Sequence, residues 1–220
     1  MAKEKKKKWL KVYAPKVLNE VELPSIFADE PNSALGRTIS LNLMFVTNSV
    51  RDRDYNVKLE IVDVNEDKCK TQIIRLNLLP SSIRKKVRKR KDKIENSFIV
   101  STKDKKLVKV KPLILTANNS SKAQQKLLRK AASYLLFNEF GSKTYDEILK
   151  DMLSRNLNKK IYETLNSLHP VSSFDIRMLE LVKKTRVKVV SKDEFAGFEL
   201  EIPKKAEKET KTKGKKVKAK

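Results

Sequence analysis

Apolar residues at alternate positions mark a series of strands in the first half of the chain. Over residues 37–47, Ile39, Leu41, Leu43 and Phe45 share one face and Ser40 and Asn42 the other, which predicts a strand with Phe45 turned inward. Val57, Leu59 and Ile61 alternate in the same way over 55–64, with Lys58 and Glu60 opposite. Over 69–79, Ile74, Leu76 and Leu78 oppose Ile73, Arg75 and Asn77. Polar turns at 48–54 and 65–68 separate these three runs, and connections that short predict an antiparallel meander. Two further strands are predicted over 96–101 and 106–116, around a turn at 102–105. In the second, Val108 and Val110 alternate with Lys109 and Lys111. Pro112 has no N–H for a ladder and predicts an edge position or a bulge.

Between the third and fourth of these strands lies the run 81–95, SSIRKKVRKRKDKIE. Ile83, Val87 and Ile94 fall on one thin stripe of a helix, with Ser81 or Ser82 available as its cap after Pro80 stops the strand. Such a helix carries Arg84, Lys85, Lys86, Arg88, Lys89, Arg90, Lys91 and Lys93 against Asp92 and Glu95 only. Their mutual repulsion is relieved by a polyanion lying alongside.

From residue 121 the period becomes helical. Ala123, Leu127, Ala131, Tyr134, Leu135 and Asn138 predict the inner face of a helix over 121–138, with Lys122, Lys126, Arg129, Lys130 and Ser133 outside and Gly141 as C-cap. Thr144 and Glu147 have capping-box spacing ahead of Ile148, Leu149 and Met152. A third helix is predicted over 157–168, ended by Pro170. Phe174, Ile176 and Met178 predict a returning strand, and 186–190 another short one. Residues 14–32, punctuated by Pro15, Pro24 and Pro31, read as an irregular connection. Ahead of them Trp9, Leu10, Val12 and Tyr13 pin the start of the chain to the body, with Trp9 packed rather than stacked on a base. The predicted class is α+β. An antiparallel, barrel-like body is interrupted by a basic helix, then followed by about three helices and a returning strand.

Charge then changes the picture. The chain has 51 Lys and Arg against 27 Asp and Glu, a net +24. Residues 1–8 carry +4 and 204–220 carry +7, which leaves +13 on residues 9–203. The expected organisation is a disordered basic arm over 1–8, one domain over 9–203 and a disordered Lys-rich tail over 204–220. A folded body that is basic in its own right points to nucleic acid.

Chemistry for other roles is sparse. Cys69 is the single cysteine, expected to be buried, and excludes an internal disulfide or a multi-cysteine zinc site. His169 is the single histidine and sits at a helix end, and the four glycines are too scattered for a phosphate loop. Asp52/Asp54 and Asp63/Asp67 flank turns beside Arg or Lys, as turn residues do. No catalytic residue, cofactor or metal site is expected. The sequence has neither a membrane-spanning run nor the apolar segment of a signal peptide, so the expectation is a cytoplasmic protein with no membrane partner. Base-stacking RNA modules need exposed aromatics on a central strand, and Phe45 and Phe98 both read as inward. Backbone-dominated recognition of structured RNA remains, beside two alternatives. One is a free RNA-acting enzyme using a metal near Asp52–Asp67, and the other a nonspecific RNA chaperone.

Residues 101–112, STKDKKLVKVKP, resemble the "TTKDGY-LRVKP" segment of the archaeal and eukaryotic small-subunit ribosomal protein family called S-three-A, or eS-one. Residues 113–116 are similar to its "VAIT", Gln125, Lys126, Arg129 and Lys130 to its "SQKHAIRK", and 77–94 to its "ELTRDYLRSLVRRRTSRI". Weaker echoes lie at 13–15, 28–31, 35–37, 148–153 and 161–162, and the short lysine-rich tail looks like the archaeal branch. Lys105 stands where that family has the Gly of "KDGY", and 115–122 and 169–178 lack the arginine pairs of "ITARRAQTSQ" and "YPLRRVEIRK". The resemblance implies a structural protein on the platform of the small subunit near the mRNA exit. Its implied partners are small-subunit rRNA, neighbouring ribosomal proteins and mRNA near that exit. The expected RNA-contacting residues are Arg84, Lys85, Lys86, Arg88, Lys89, Arg90 and Lys93 of the basic helix, then Lys103, Lys105, Lys106, Lys109 and Lys111, then Lys126, Arg129 and Lys130.

Overall fold

The computed structural model describes residues 8–29, 31–65, 68–182 and 189–190. Residues 1–7 of the basic arm expected over 1–8, the tail over 204–220 and residues 186–188 of the expected last strand lie outside the described residues, whereas Lys8, the last residue of that arm, begins a strand.

Among the described residues nine strands form one open sheet, with α-helices attached to it. Its axis is β5 (Lys68–Leu78), flanked on one side along its whole length by β4 (Tyr55–Asn65), which in turn pairs with β3 (Thr38–Asn42). This is the expected antiparallel meander. On its other side β5 changes partner. Its first residues run parallel to β1 (Lys8–Tyr13), and its last pair with β9 (Val171–Val182). β2 (Glu22–Ala28) closes the β1 edge. β9 then pairs with β8 (Leu107–Thr116), whose far edge is shared by β7 (Phe98–Ser101) and β6 (Lys93–Glu95). The three expected helices are α3 (Lys122–Ser142), α4 (Tyr145–Leu153) and α5 (Asn156–Leu168), and they pack on the β7–β8–β9 end of the sheet. The expected capping box at Thr144/Glu147 forms, and the structure adds a second at Ser121/Gln124. Tyr145, fully buried, donates its hydroxyl to the Ile73 carbonyl at 3.0 Å and so ties α4 to β5. Cys69 is buried as expected.

Several expectations are corrected, the first of them by bulges. In β5 the register steps from Lys58↔Arg75 to Leu59↔Ile73, which leaves Ile74 as an extra residue. The inward set is therefore Cys69, Thr71 and Ile73 before the bulge and Leu76 and Leu78 after it, rather than 74, 76 and 78. In β9 the register steps from Lys111↔Met178 to Pro112↔Ile176, so Arg177 is the extra residue and Met178 leaves the inner phase. Pro112 thus marks a bulge in an interior strand, not an edge. The strand expected over 37–47 ends at Asn42, whose Oδ1 accepts from Met44 N at 2.9 Å and starts the helical turn α1 (Met44–Thr47). That turn leaves Phe45 70% exposed instead of inward. Residues 14–32 are not irregular throughout, since β2 lies within them. Trp9 is 68% exposed, with its ring 4.9 Å from Phe27 on β2, while Leu10 and Val12 anchor β1 in the core. On α3 the buried face runs through Leu128, Ala131, Ala132, Leu136 and Phe140, with Leu127 outside, and the helix passes through Gly141.

The basic run differs most. Only α2 (Pro80–Lys86) is helical, with Leu79 as N-cap and Pro80 at the first turn. Neither Ser81 nor Ser82 caps it; the Ser82 hydroxyl donates to Asp54 Oδ1 at 2.6 Å. Val87 turns extended at ψ 120°, Arg90 takes φ 63°, and Lys93–Glu95 enters the sheet as β6 opposite Leu113–Leu115. Two forces act in the same direction. A continuous helix would hold eight cations in mutual repulsion, whereas β6 buries Ile94 to 1% exposure against the core.

Candidate nucleic-acid interface

The broken run divides its cations between the end of α2, the loop that follows and β6. Arg84, Lys85 and Lys86 fill the last turn of α2, where the helix dipole favours positive charge. Lys86 is drawn back into the fold by Asp175 on β9, at 2.6 Å. The following loop is strapped at two points. Lys91 Nζ donates to Ser172 Oγ at 2.8 Å, and the Asp92 carboxylate accepts from Ser120 N at 2.6 Å and Ser120 Oγ at 2.8 Å. Those two donors hold the Asp92 carboxyl below the usual carboxylate range. Arg84 and Lys85 on α2, and Arg88, Lys89 and Arg90 ahead of the straps, remain exposed, and none forms an ion pair with a described residue.

Beyond the loop, charges converge on Glu95. Its carboxylate lies 3.0 Å from Lys93 Nζ and 2.8 Å from Arg177 Nη1, and its carbonyl accepts from Arg129 Nε at 3.3 Å. Burial raises the Glu95 carboxyl, but Lys93 and Arg177 outweigh it and the net shift is downward. Lys93 and Arg129 therefore belong to one cluster, although 36 positions separate them in sequence. Lys126 and Lys130 are exposed on α3 beside Arg129.

The expected segment from Lys103 to Lys111 divides in two. Lys103 and Lys105 sit exposed at the tip of the β7–β8 hairpin. Lys105 takes φ 57° there, and its N–H donates to Thr102 O at 2.9 Å, so the tight turn forms without the glycine. Asp104 accepts from Tyr145 N at 3.2 Å and holds this tip against α4, while Lys106 Nζ lies 5.5 Å from the Tyr145 ring centre. Lys109 and Lys111 point instead to the polar face of the sheet, in register with Glu180 and Met178. Lys111 thereby joins the α2 cluster, and Lys103, Lys105 and Lys106 stand apart at the opposite end of β8.

Arg177 is the member of this interface that the sequence reading missed. The bulge opposite Pro112 throws it out of the ladder toward Glu95, and Pro112 was the available signal. The pattern of strand faces also hides a row of amides. Register places Asn42, Asn56, Asn77, Met178 and Lys111 side by side across β3, β4, β5, β9 and β8. Asp52 and Asp54 are occupied locally, accepting from Thr47 at 2.8 Å and Ser82 at 2.6 Å.

A profile described as the Ribosomal S3Ae family matches residues 2–185. The chain belongs to that family. It is 34% identical over 182 residues to the small ribosomal subunit protein eS1 of Nanoarchaeum equitans, covering 80% of this chain and 89% of that protein. The eS1 proteins of Halorubrum lacusprofundi and Desulfurococcus amylolyticus are 27% and 26% identical, covering 80% and 82% of this chain and 81% and 84% of theirs. These S3Ae relatives are archaeal, as the lysine-rich tail suggested.

Proposed function

We propose that this S3Ae chain is a structural constituent of the small ribosomal subunit that binds folded rRNA through phosphate contacts and performs no reaction of its own. The observation that carries this reading is the strapped loop after α2. Together with the end of α2 it holds Arg84, Lys85, Arg88, Lys89 and Arg90 exposed, without described acidic partners, on a segment fixed by Asp92 and Lys91. Phosphate neutralisation by such cations releases counterions and dominates affinity. The Glu95 cluster with Lys93, Arg129 and Arg177, Lys111, and the exposed Lys126 and Lys130 extend the same surface. Lys103, Lys105, Lys106 and Lys109 provide further contacts, and residues 9–203 act as one rRNA-binding unit with basic extensions at both ends. Family membership and the names of the relatives support a place in the ribosome, hence in the cytoplasm. By family resemblance that place is the platform, among neighbouring proteins and mRNA near its exit.

Sucrose-gradient sedimentation of cell lysate tests the reading. Stoichiometric co-sedimentation with the small subunit that persists in high salt is expected. A free pool with RNA-processing activity, lost on Asp52→Asn and Asp54→Asn, would instead identify an enzyme. A free pool that binds any RNA without activity would identify a chaperone.

A further inference from the structure

The sheet face beside α2 holds a cleft of about 240 Å³ lined by Asn56, Asn77, Lys111, Arg177, Met178 and Ile83, with Leu78, Leu79 and Pro80 completing its wall. A volume equal to roughly eight waters suits one ring system and is below the roughly 300 Å³ of a drug-sized site. Its two sides differ chemically. Met178, Pro80 and Ile83 offer apolar surface to a ring face, while Asn56 and Asn77 offer amides to a ring edge. Neither amide makes a side-chain hydrogen bond to a described residue, and Asn77 Oδ1 is buried with no donor. A buried acceptor left without a donor is costly, and a donor on a bound ring edge would relieve that cost.

A second cleft, of about 420 Å³, adjoins the first, because Lys111 and Arg177 line both. These two cations form a saddle between the clefts, with Arg177 held in place by Glu95. No acidic residue lines the first cleft, so its charge suits an anion and repels a basic peptide arm. The exposed Arg84 and Lys85 follow directly along α2 from Ile83.

We propose that the first cleft receives a single unstacked RNA nucleotide, adenosine by preference, with its phosphate on the Lys111–Arg177 saddle. An asparagine amide presents the donor and acceptor that match adenine N7 and N6, and Met178, Pro80 and Ile83 supply the apolar surface for the ring face. This proposal rests on the rRNA-binding reading and adds a base-reading step to it. Phosphate contacts position the RNA, and the cleft selects the nucleotide.

Full-length small-subunit rRNA from the same source, transcribed in vitro, is the probe. Base-specific modification with diethyl pyrocarbonate and dimethyl sulfate is expected to reveal an adenosine protected by the wild-type protein. The Asn56→Ala/Asn77→Ala double variant should lose that protection and bind about tenfold more weakly, with an unchanged dependence of log K on log salt, because amides displace no counterions. Lys111→Ala should instead flatten the salt slope by about 0.7–0.9. Asn56→Ala alone, at a half-buried position, gives the same deprotection should the double variant fail to fold. Unchanged base protection in Asn56→Ala, or an affinity loss carried by the salt slope, overturns the nucleotide site and leaves the rRNA reading intact. Normal rRNA binding by the double variant with failed entry into subunits assigns the cleft to a protein neighbour and also overturns it. A wild-type protein that does not bind this rRNA removes both.

Discussion

Lys86 Nζ lies 2.6 Å from Asp175 Oδ2, so a half-buried ion pair fastens the last turn of α2 to β9. That pair separates Lys86 from its neighbours, whose charges face solvent. Lys86→Ala is expected to destabilise the fold by about 1 kcal/mol and to leave the salt slope of rRNA binding almost unchanged. Replacing Arg84, Lys85, Arg88 and Lys89 together should do the reverse. Stability should stay within about 0.5 kcal/mol, while the slope flattens by about 3, near 0.7–0.9 for each lost phosphate contact. Urea unfolding and binding titrations at stepped salt measure both quantities. An unchanged slope in the quadruple variant removes α2 and its loop from the interface.

Asp92 makes the strap acid-sensitive. Ser120 N and Oγ stabilise the ionised carboxylate and depress its folded pKa below the ordinary 3.8, while the unfolded chain keeps that ordinary value. The contribution of Asp92 is therefore complete above 3.8 and is lost as pH falls through the lower folded value. Melting temperatures followed from neutral pH to below 3.8 should decline less steeply for Asp92→Asn than for the wild type. Parallel curves would mean that the strap does not depend on the charge.

Tyr145 gives the opposite sign at alkaline pH. Burial pushes its phenol well above the ordinary 10.0, so the unfolded chain ionises first and stability falls as pH rises through 10.0. Tyr145→Phe removes this contribution to the alkaline decline. It also leaves the Ile73 carbonyl, at the β5 bulge, without its 3.0 Å donor, at an expected cost of about 1–2 kcal/mol at neutral pH. Thermal melts at neutral and alkaline pH separate the two effects, and a neutral-pH loss near zero would show that α4 docks by apolar packing alone.

Where alternation held in the sequence, it reflected a strand with one buried face, as in Val57, Leu59 and Ile61. It failed at Ile74 and Arg177 because a bulge shifts the phase by one residue, and only Pro112 announces either bulge. The run 81–95 misled for a different reason. A sparse apolar stripe at helical spacing is also three separate anchors, and Ile94 gains more from the sheet than from a charged helix. For the interface, composition identified the kind of residue but not its state. Lys86 and Lys93 are paired with acids and Arg129 with a carbonyl, whereas Arg84, Lys85 and Arg88 make no ion pair with a described residue. Pairing depends on which acid the fold brings near, and Asp175 and Glu95 reach those partners only through β9 and β6.

Lys105 offers the last test, since backbone and charge act there in opposite directions. It occupies φ 57° at the hairpin tip, a left-handed conformation that costs a non-glycine residue roughly 1–2 kcal/mol. Glycine removes that strain but adds roughly 0.5–1 kcal/mol of unfolded-state freedom, so Lys105→Gly is expected to stabilise by about 0.5 kcal/mol. Should the Lys105 ammonium meet a phosphate, the same substitution flattens the salt slope of rRNA binding by about 0.7–0.9. Lys105→Asn separates the two effects, because asparagine tolerates the left-handed region without the charge. It should reproduce the slope change with a smaller change in stability. A stabilised Lys105→Gly protein with an unaltered slope assigns the hairpin tip to the fold alone and confines the rRNA contacts to the α2–Glu95 surface.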